Sequence, residues 1–428
     1  MNVTVLTAIG DPRREAEVAA GLSEIDLGVT VVRRCVDLPD LLAAACAGLA
    51  EAAVLSADLR GLDRAAVRRL ADAGLVVVGL APDDRATQDR LRGLGVTDLL
   101  TDTSPVEAVA AALVAAASQR HSDRAGRQAS VTALGPGHDE PSGESVHGAG
   151  GKVVAVWGPA GAPGRSTIAL NLAAELATLG HEVLCVDLDT YGASLGQLAG
   201  LLDEGSGVAA ACRHANGGRL DGTRLRQLAA ELRPGLSLLT GISSPQRWPE
   251  LRSESLEMVL SIAKAGYGFI VLDAGFCLEH DEDLAYDTLA PCRNGATVAA
   301  VAAADEVVAI GSADPVGIAR LVREVADLPC LTTPITVVNR VRRGVVGRGD
   351  PGRQIGLALG RYAGVTDAVM VPEDATTADA AVVAGRTWAE VSASSPARLA
   401  VRDLARQIAG SGPVRRRTAL RLRKVQGY

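Results

Sequence analysis

The sequence is nearly without lysine. Among its 428 residues only Lys152, Lys264 and Lys424 occur, and almost all of its positive charge is arginine. Aromatic residues make up 2% of a chain that is 48% hydrophobic. The core must therefore be built from Ala, Val and Leu, which suits parallel sheets covered by helices. No cysteine stands in a C-x-x-C pair. The seven that occur (Cys35, Cys46, Cys185, Cys212, Cys277, Cys292 and Cys330) are odd in number and read as reduced cytosolic thiols, not as a disulfide framework or zinc site. Cys185 falls inside an apolar run, as a small core residue would. The first residues, "MNVTVLTAIGD", lack the basic start and long apolar stretch of a secretion signal. No run of about 18 apolar residues is present, so no membrane-spanning helix is expected. A net charge of −7 argues against a general nucleic-acid binder, and no specific nucleic acid is expected as a partner. The expected location is cytoplasmic, with peripheral attachment to a membrane surface compatible with it.

What is present is a doubly repeated α/β pattern. In residues 1–117 the segments "VTVLTA", "AAVLSAD", "LVVVGLA" and the weaker "GVTDLLT" read as strands, with helical spacing between them. This is a βαβ pattern and implies a smaller parallel-sheet domain. Residues 118–151 are rich in Gly, Ser, His and charge, lack apolar periodicity, and read as a flexible linker. In residues 152–410, "KVVAVW", "EVLCVD", "LSLLTG", "GFIVLD", "EVVAIGS", "ITVVN" and "DAVMV" read as strands of a larger, doubly wound parallel sheet. Ligands of such sheets bind at the carboxyl ends of the strands. Residues 411–428 form a basic tail.

Three strand ends carry chemistry. "KVVAVW" is followed by Gly158, Pro159, Ala160, Gly161, Ala162, Pro163 and Gly164, and then by a helix marked by Ile168, Leu172, Leu176 and Leu179. Backbone N–H groups of such a loop, with the helix dipole behind them, can face an anion. Ser166, after the basic Arg165, can offer its hydroxyl to magnesium. Asp187 and Asp189 end one strand and Asp273 another. Carboxylates there can hold magnesium or orient an attacking water, although a lone strand-end aspartate more often caps a helix or forms a turn.

Loop, Asp-x-Asp, the Asp273 strand end and the late "VVNR" together resemble the MinD/ParA ATPases, deviant-Walker-A P-loop proteins that dimerise around ATP. The resemblance covers residues 152–410. It implies that Gly161, Ala162, Pro163, Gly164, Arg165, Ser166 and Thr167 bind the phosphates of ATP, and that Ser166, Asp189 and Asp273 surround Mg2+. It implies that Asp189 positions the attacking water, with Arg165 as the second catalytic group. It places Asn339 and Arg340 of "VVNRV" at the adenine, and Pro372 in the loop 371–375 that closes over the base. Two departures stand out. The family's signature lysine is Ala160 here, and its phosphate-loop lysine is Arg165. Arginine keeps the charge but is longer and planar, so the exchange is not conservative. Nucleotide binding is expected to survive more readily than hydrolysis, which makes a slow ATPase acting as a switch, dimeric when ATP is bound.

The first region is similar to a response-regulator receiver, and receiver plus MinD-like ATPase is the layout of CpaE/TadZ proteins, which help localise and assemble Flp (tight-adherence) pili at a cell pole. Asp58 falls where a receiver carries its phosphoacceptor. Yet only Asp11 stands where an acidic pair is needed, and Asp102 lies near the place of a missing lysine. Phosphoryl transfer to Asp58 is not expected, and Asp58 reads as a turn residue. The region then serves to bind pilus-assembly or division proteins. The tail interleaves Arg415, Arg416, Arg417, Arg421, Arg423 and Lys424 with Val414, Leu420, Leu422 and Val425. It reads either as a weak form of the MinD membrane helix or as a solvated segment. Alternative functions are a septum-site-determining protein, a ParA-type DNA partition ATPase and a non-hydrolysing nucleotide-binding scaffold. A MinD-like tyrosine kinase would need a tyrosine cluster, and the tail has only Tyr428.

Overall fold

The computed structural model describes residues 2–24, 27–132, 150–201, 205–279, 292–328, 333–345 and 349–410. The expectations for the tail, for Cys330 and for residues 133–149 of the linker lie outside the described residues. The chain divides into two compact units, one of residues 1–147 with 213–220, the other of residues 148–212 with 221–428.

The first unit alternates β1 (Val3–Ala8), α1 (Pro12–Glu24), β2 (Val29–Arg34), α2 (Leu38–Cys46), β3 (Ala52–Ser56), α3 (Arg64–Asp72), β4 (Val76–Ala81), α4 (Arg85–Leu94), β5 (Asp98–Thr101) and α5 (Val106–Thr132). The sheet order is β2-β1-β3-β4-β5, and every neighbouring pair is parallel. This is the flavodoxin-like order, with its reversal between β1 and β3. Helices cover both faces. Leu41, Leu70 and Leu91 from α2, α3 and α4 pack with Leu6 and Leu55. Val18 of α1 and Val109 and Leu113 of α5 pack with Val5, Val54 and Val78. Asp37, Asp63 and Asp84 cap α2, α3 and α4 by accepting backbone N–H bonds, which supplies partners for orphan donors of the first turns. Helix α5 continues to Thr132, past Ser118, where composition alone places the start of a linker. Loss of apolar periodicity in the sequence is therefore not loss of helix.

The second unit is built on an eight-stranded sheet in the order β13-β12-β11-β6-β10-β7-β9-β8. Its strands are β6 (Lys152–Trp157), β7 (Val183–Leu188), β8 (Ala230–Arg233), β9 (Leu236–Leu239), β10 (Phe269–Ala274), β11 (Glu306–Ser312), β12 (Ile335–Val341) and β13 (Val369–Pro372). All pairs are parallel except β8 with β9. Both domains are thus α/β, as the alternating pattern requires. β6 lies between β10 and β11, with β7 to one side and β12 to the other. That is where the winding reverses, and the crevice beyond its carboxyl end is the place for a ligand. The helix after β6, α6 (Arg165–Thr178), is buried from Ile168 through Leu176 on all sides. The helix Pro396–Ile408 packs beside it, and Arg398 pairs with buried Glu175 at 2.7 Å. Asn171 within α6 accepts the backbone N–H of Trp388 at 2.7 Å. These contacts anchor the body of α6, whose first turn stands at the mouth of the crevice.

Candidate functional site

The loop between β6 and α6 favours glycine at three positions. A side chain at Gly158 would bring its Cβ within 2.3 Å of the Ile310 carbonyl oxygen on β11. Gly161 and Gly164 have φ of 73° and 91°, in the left-handed region. Gly164 is the N-cap of α6, and no side chain caps this helix. Its first-turn N–H groups are left for an anion, with the helix dipole favouring negative charge. The loop is also clamped from β12: the Asn339 amide donates to the Pro163 carbonyl at 2.9 Å.

Arg165 opens α6 but bends back over the loop. Its guanidinium donates to the Gly158 carbonyl at 3.0 Å and to Asp189 Oδ2 at 3.1 Å. Its Nε is buried without a hydrogen-bond partner. Asp189 Oδ1 accepts the N–H groups of Tyr191 at 2.9 Å and Gly192 at 3.1 Å. Asp189 is thus a turn-former and the counter-ion of Arg165 at once.

The other two strand-end aspartates divide the work differently. Asp187 accepts the N–H groups of Ser194 and Leu195, both at 2.9 Å, which ties down the turn into the short helix Leu195–Leu198. Burial pushes its pKa up to about 6, while those backbone donors oppose the rise and Asp189 adds to it. Asp273 is fully buried, and neither of its carboxylate oxygens has a hydrogen-bond partner. Burial and then the neighbouring Asp187 hold its pKa well above the usual carboxylate range; Ser166 and Arg165 oppose that shift. The Ser166 hydroxyl is thus close enough to act on the carboxylate, without either oxygen gaining a well-formed bond.

An orphaned buried carboxylate beside a hydroxyl at an uncapped helix start fits a magnesium ion that arrives with phosphates. No group of three or more His, Cys, Asp or Glu set to hold a metal occurs among the described residues. Magnesium typically keeps few protein ligands and takes the rest from water and phosphate, so a full protein cage is not required.

The residues expected at a base lie at the carboxyl ends of β12 and β13. Asn339 is buried and committed to the loop, its Oδ1 accepting the Arg340 N–H at 2.9 Å. Arg340 is exposed, with φ of 58°, unusual for a residue with a side chain. Pro372 is half-buried and pairs in register with Val341. The structure thus joins Asn339 to the loop directly and leaves Arg340 and Pro372 along the same edge of the sheet.

Two features of this site escape the sequence reading. Tyr191 and Phe276 are in ring contact, with centroids 4.8 Å apart. Arg165 lies 5.9 Å from the Phe276 ring, Arg293 lies 4.0 Å from the Tyr191 ring, and the Trp157 indole donates to the Phe276 carbonyl at 3.1 Å. A signal existed: in a chain with two Phe and five Tyr, one of each falls just beyond a strand-end aspartate. The other feature is Arg320, on the helix Pro315–Glu324, which donates to the Ala160 carbonyl at 2.9 Å. No local motif marks it.

A second cleft occurs in the first unit. Asp11, Arg14, Ser56, Asp58 and Asp102 line a cavity of about 550 Å3 at the carboxyl ends of its strands. Asp58 lies in the exposed turn after β3 and accepts the Ser56 hydroxyl.

No protein-family model matches the chain, and no curated protein matches it. Among solved structures it is similar to a ParA family ATPase from Chlorobium tepidum TLS, with 18% identity and a TM-score of 0.48, over 59% of this chain and 98% of that one. It is also similar to the cell division ATPase MinD of Pyrococcus furiosus, with 17% identity and a TM-score of 0.48, over 61% and 99%. The septum site-determining protein MinD complexed with Mg-ADP from Pyrococcus horikoshii OT3 is similar at 18% identity and a TM-score of 0.47, over 60% and 95%. These identities are too low to carry activity or ligand from those proteins to this one.

Proposed function

We propose that residues 152–410 bind ATP with magnesium and hydrolyse it slowly, as a switch between a monomer and an ATP-bound homodimer. The observation that carries this reading is the unpartnered Asp273 carboxylate beside Ser166, at the foot of an uncapped, glycine-dependent loop. The N–H groups from Gly161 through Thr167 would cradle the phosphates, and Ser166 with Asp273 would hold magnesium, with Asp189 at its edge. Magnesium, when bound, would draw charge from the phosphate oxygens. Arg165 would exchange Asp189 for a phosphate oxygen, a charge-assisted bond it can fork. That exchange frees Asp189 Oδ2 to accept a bond from the attacking water, so one guanidinium links ground-state binding to the reactive arrangement. Arg340 and Pro372 would flank the base, with Asn339 leaving Pro163 to reach it. Ala160 supplies no charge to a partner's phosphates, which is why turnover is slow: loss of one such cation costs on the order of a hundredfold in rate.

For the whole chain we read a CpaE-like role in Flp pilus assembly or polar positioning, with the first unit as the module that binds pilus-assembly or division proteins. What supports this is a flavodoxin-order unit preceding the proposed ATPase, whose Asp58 lacks the acidic pair and lysine needed for phosphoryl transfer.

Calorimetry on the full chain tests the site. Magnesium-ATP should bind the wild type, Arg165→Ala should weaken it at least about tenfold, and Asp273→Asn should remove the magnesium dependence. Light scattering in parallel should show a dimer with magnesium-ATP and a monomer without it. Unchanged affinity in Arg165→Ala would remove the assignment.

A further inference from the structure

Two guanidinium groups are recorded on the carbonyls of the loop, and they sit in different chemical situations. Arg165 is inside: its side chain is 14% exposed, and it neutralises Asp189. Arg320 is outside. It is exposed, and a Cβ on Gly161 would come within 2.4 Å of its Nη1, so the guanidinium rests against the loop's outer lip. The two described lysines cannot substitute. Lys152 begins β6 and reaches Glu306 at 3.5 Å and the Ile408 carbonyl at 3.2 Å, and Lys264 pairs with Asp305 at 3.6 Å. Both lie toward the amino ends of the sheet, away from the crevice.

We propose that Arg320 is the residue that distinguishes a nucleoside triphosphate from a diphosphate at this loop, leaving the Ala160 carbonyl for the terminal phosphate. This rests on the reading of the loop as a nucleotide site. The N–H groups at the start of α6 grip the phosphates nearest the helix. Ala160 and Gly161 form the opposite lip, where only a longer phosphate chain arrives. Arg320 gives up a neutral carbonyl acceptor that is exposed to water and gains an ionised one, roughly twice as strong a bond. A diphosphate offers nothing at that lip, and Arg320 stays on Ala160. Arg320 rides on the helix that leaves the carboxyl end of β11, so its change of partner is also a change in what holds that helix to the loop.

The test uses the full chain with magnesium and either ADP or a non-hydrolysable ATP analogue, titrated by calorimetry. Arg320→Gln should lose on the order of tenfold in affinity for the analogue and less than about twofold for ADP. Arg320→Lys should recover part of the loss, and Arg323→Gln, on the same helix, should match the wild type. Equal losses for both nucleotides, or no loss for either, would overturn the proposal. So would a fall in the melting temperature of nucleotide-free Arg320→Gln large enough to account for the loss. Failure of the wild type to bind either nucleotide would instead remove the nucleotide reading, and this inference with it.

Discussion

Asp273 keeps two carboxylate oxygens in a buried place without a donor. In the unfolded chain such a group titrates near pH 4, whereas in the folded protein its pKa stands well above that. As pH rises past the unfolded value, the unfolded chain releases the proton that the folded protein retains. Stability is then fully present below about pH 4 and is lost as pH rises toward the folded pKa. Asp187, raised to about 6, adds a slope of the same sign between about pH 4 and pH 6. Asp273→Asn has nearly the same shape and cannot ionise. It should stabilise the nucleotide-free protein by roughly 1–3 kcal/mol near pH 8 and by less near pH 5. Melting temperature against pH measures this, and a variant less stable than wild type at pH 8 would mean that the carboxylate has a partner. That Asp273 stands at a strand end was legible from its position after "GFIVL". The division of labour among the three carboxylates was not, because it depends on which backbone N–H groups the following turns aim at them. Arg320 was illegible for a related reason, since its partner lies 160 residues away in sequence.

The loop and α6 behave as one element, set by Gly164. Replacing it with alanine forces a side chain into the left-handed region and drives Cβ to 2.3 Å from the Asn339 amide that clamps Pro163. Gly180, with φ of 92° and nothing within 4 Å of a built Cβ, offers the backbone penalty alone. Gly180→Ala should cost about 1 kcal/mol. Gly164→Ala should cost about 1 kcal/mol more, because the clamp must also move. Thermal unfolding of both variants compares them, and equal losses would mean that the Asn339 clamp contributes nothing. At this scale the sequence was informative wherever a strand is buried. β1, β3, β4, β6, β7 and β9 through β13 all coincide with apolar runs. The strands it did not show are β2 and β8. β2 ends in exposed charged residues, and β8, "AELR", is a short antiparallel edge. Edge strands owe their existence to a neighbour's open hydrogen bonds, and apolar alternation does not report that.

Across the whole molecule, a smaller α/β sheet followed by a larger one was readable because strands alternate with helical segments in both regions. The end of the first unit was not, because α5 persists to Thr132, past the point where apolar spacing stops in the sequence. The scarcity of aromatic side chains has an optical consequence. The chain holds three tryptophans. Trp157 is the last residue of β6, fully buried, and its indole N–H holds the Phe276 carbonyl, whose ring lies beneath Arg165. Trp388 is buried against the middle of α6, and Trp248 is half-buried on the turn Pro245–Glu250. An indole bonded to the segment after Asp273 is an internal chromophore for that segment, read against a dim background. Magnesium-ATP should change the intrinsic emission in a saturable way in the wild type and in Trp248→Phe, and Trp157→Phe should abolish the change. If the signal survives that substitution, it comes from elsewhere in the chain and not from the indole that holds the Phe276 segment.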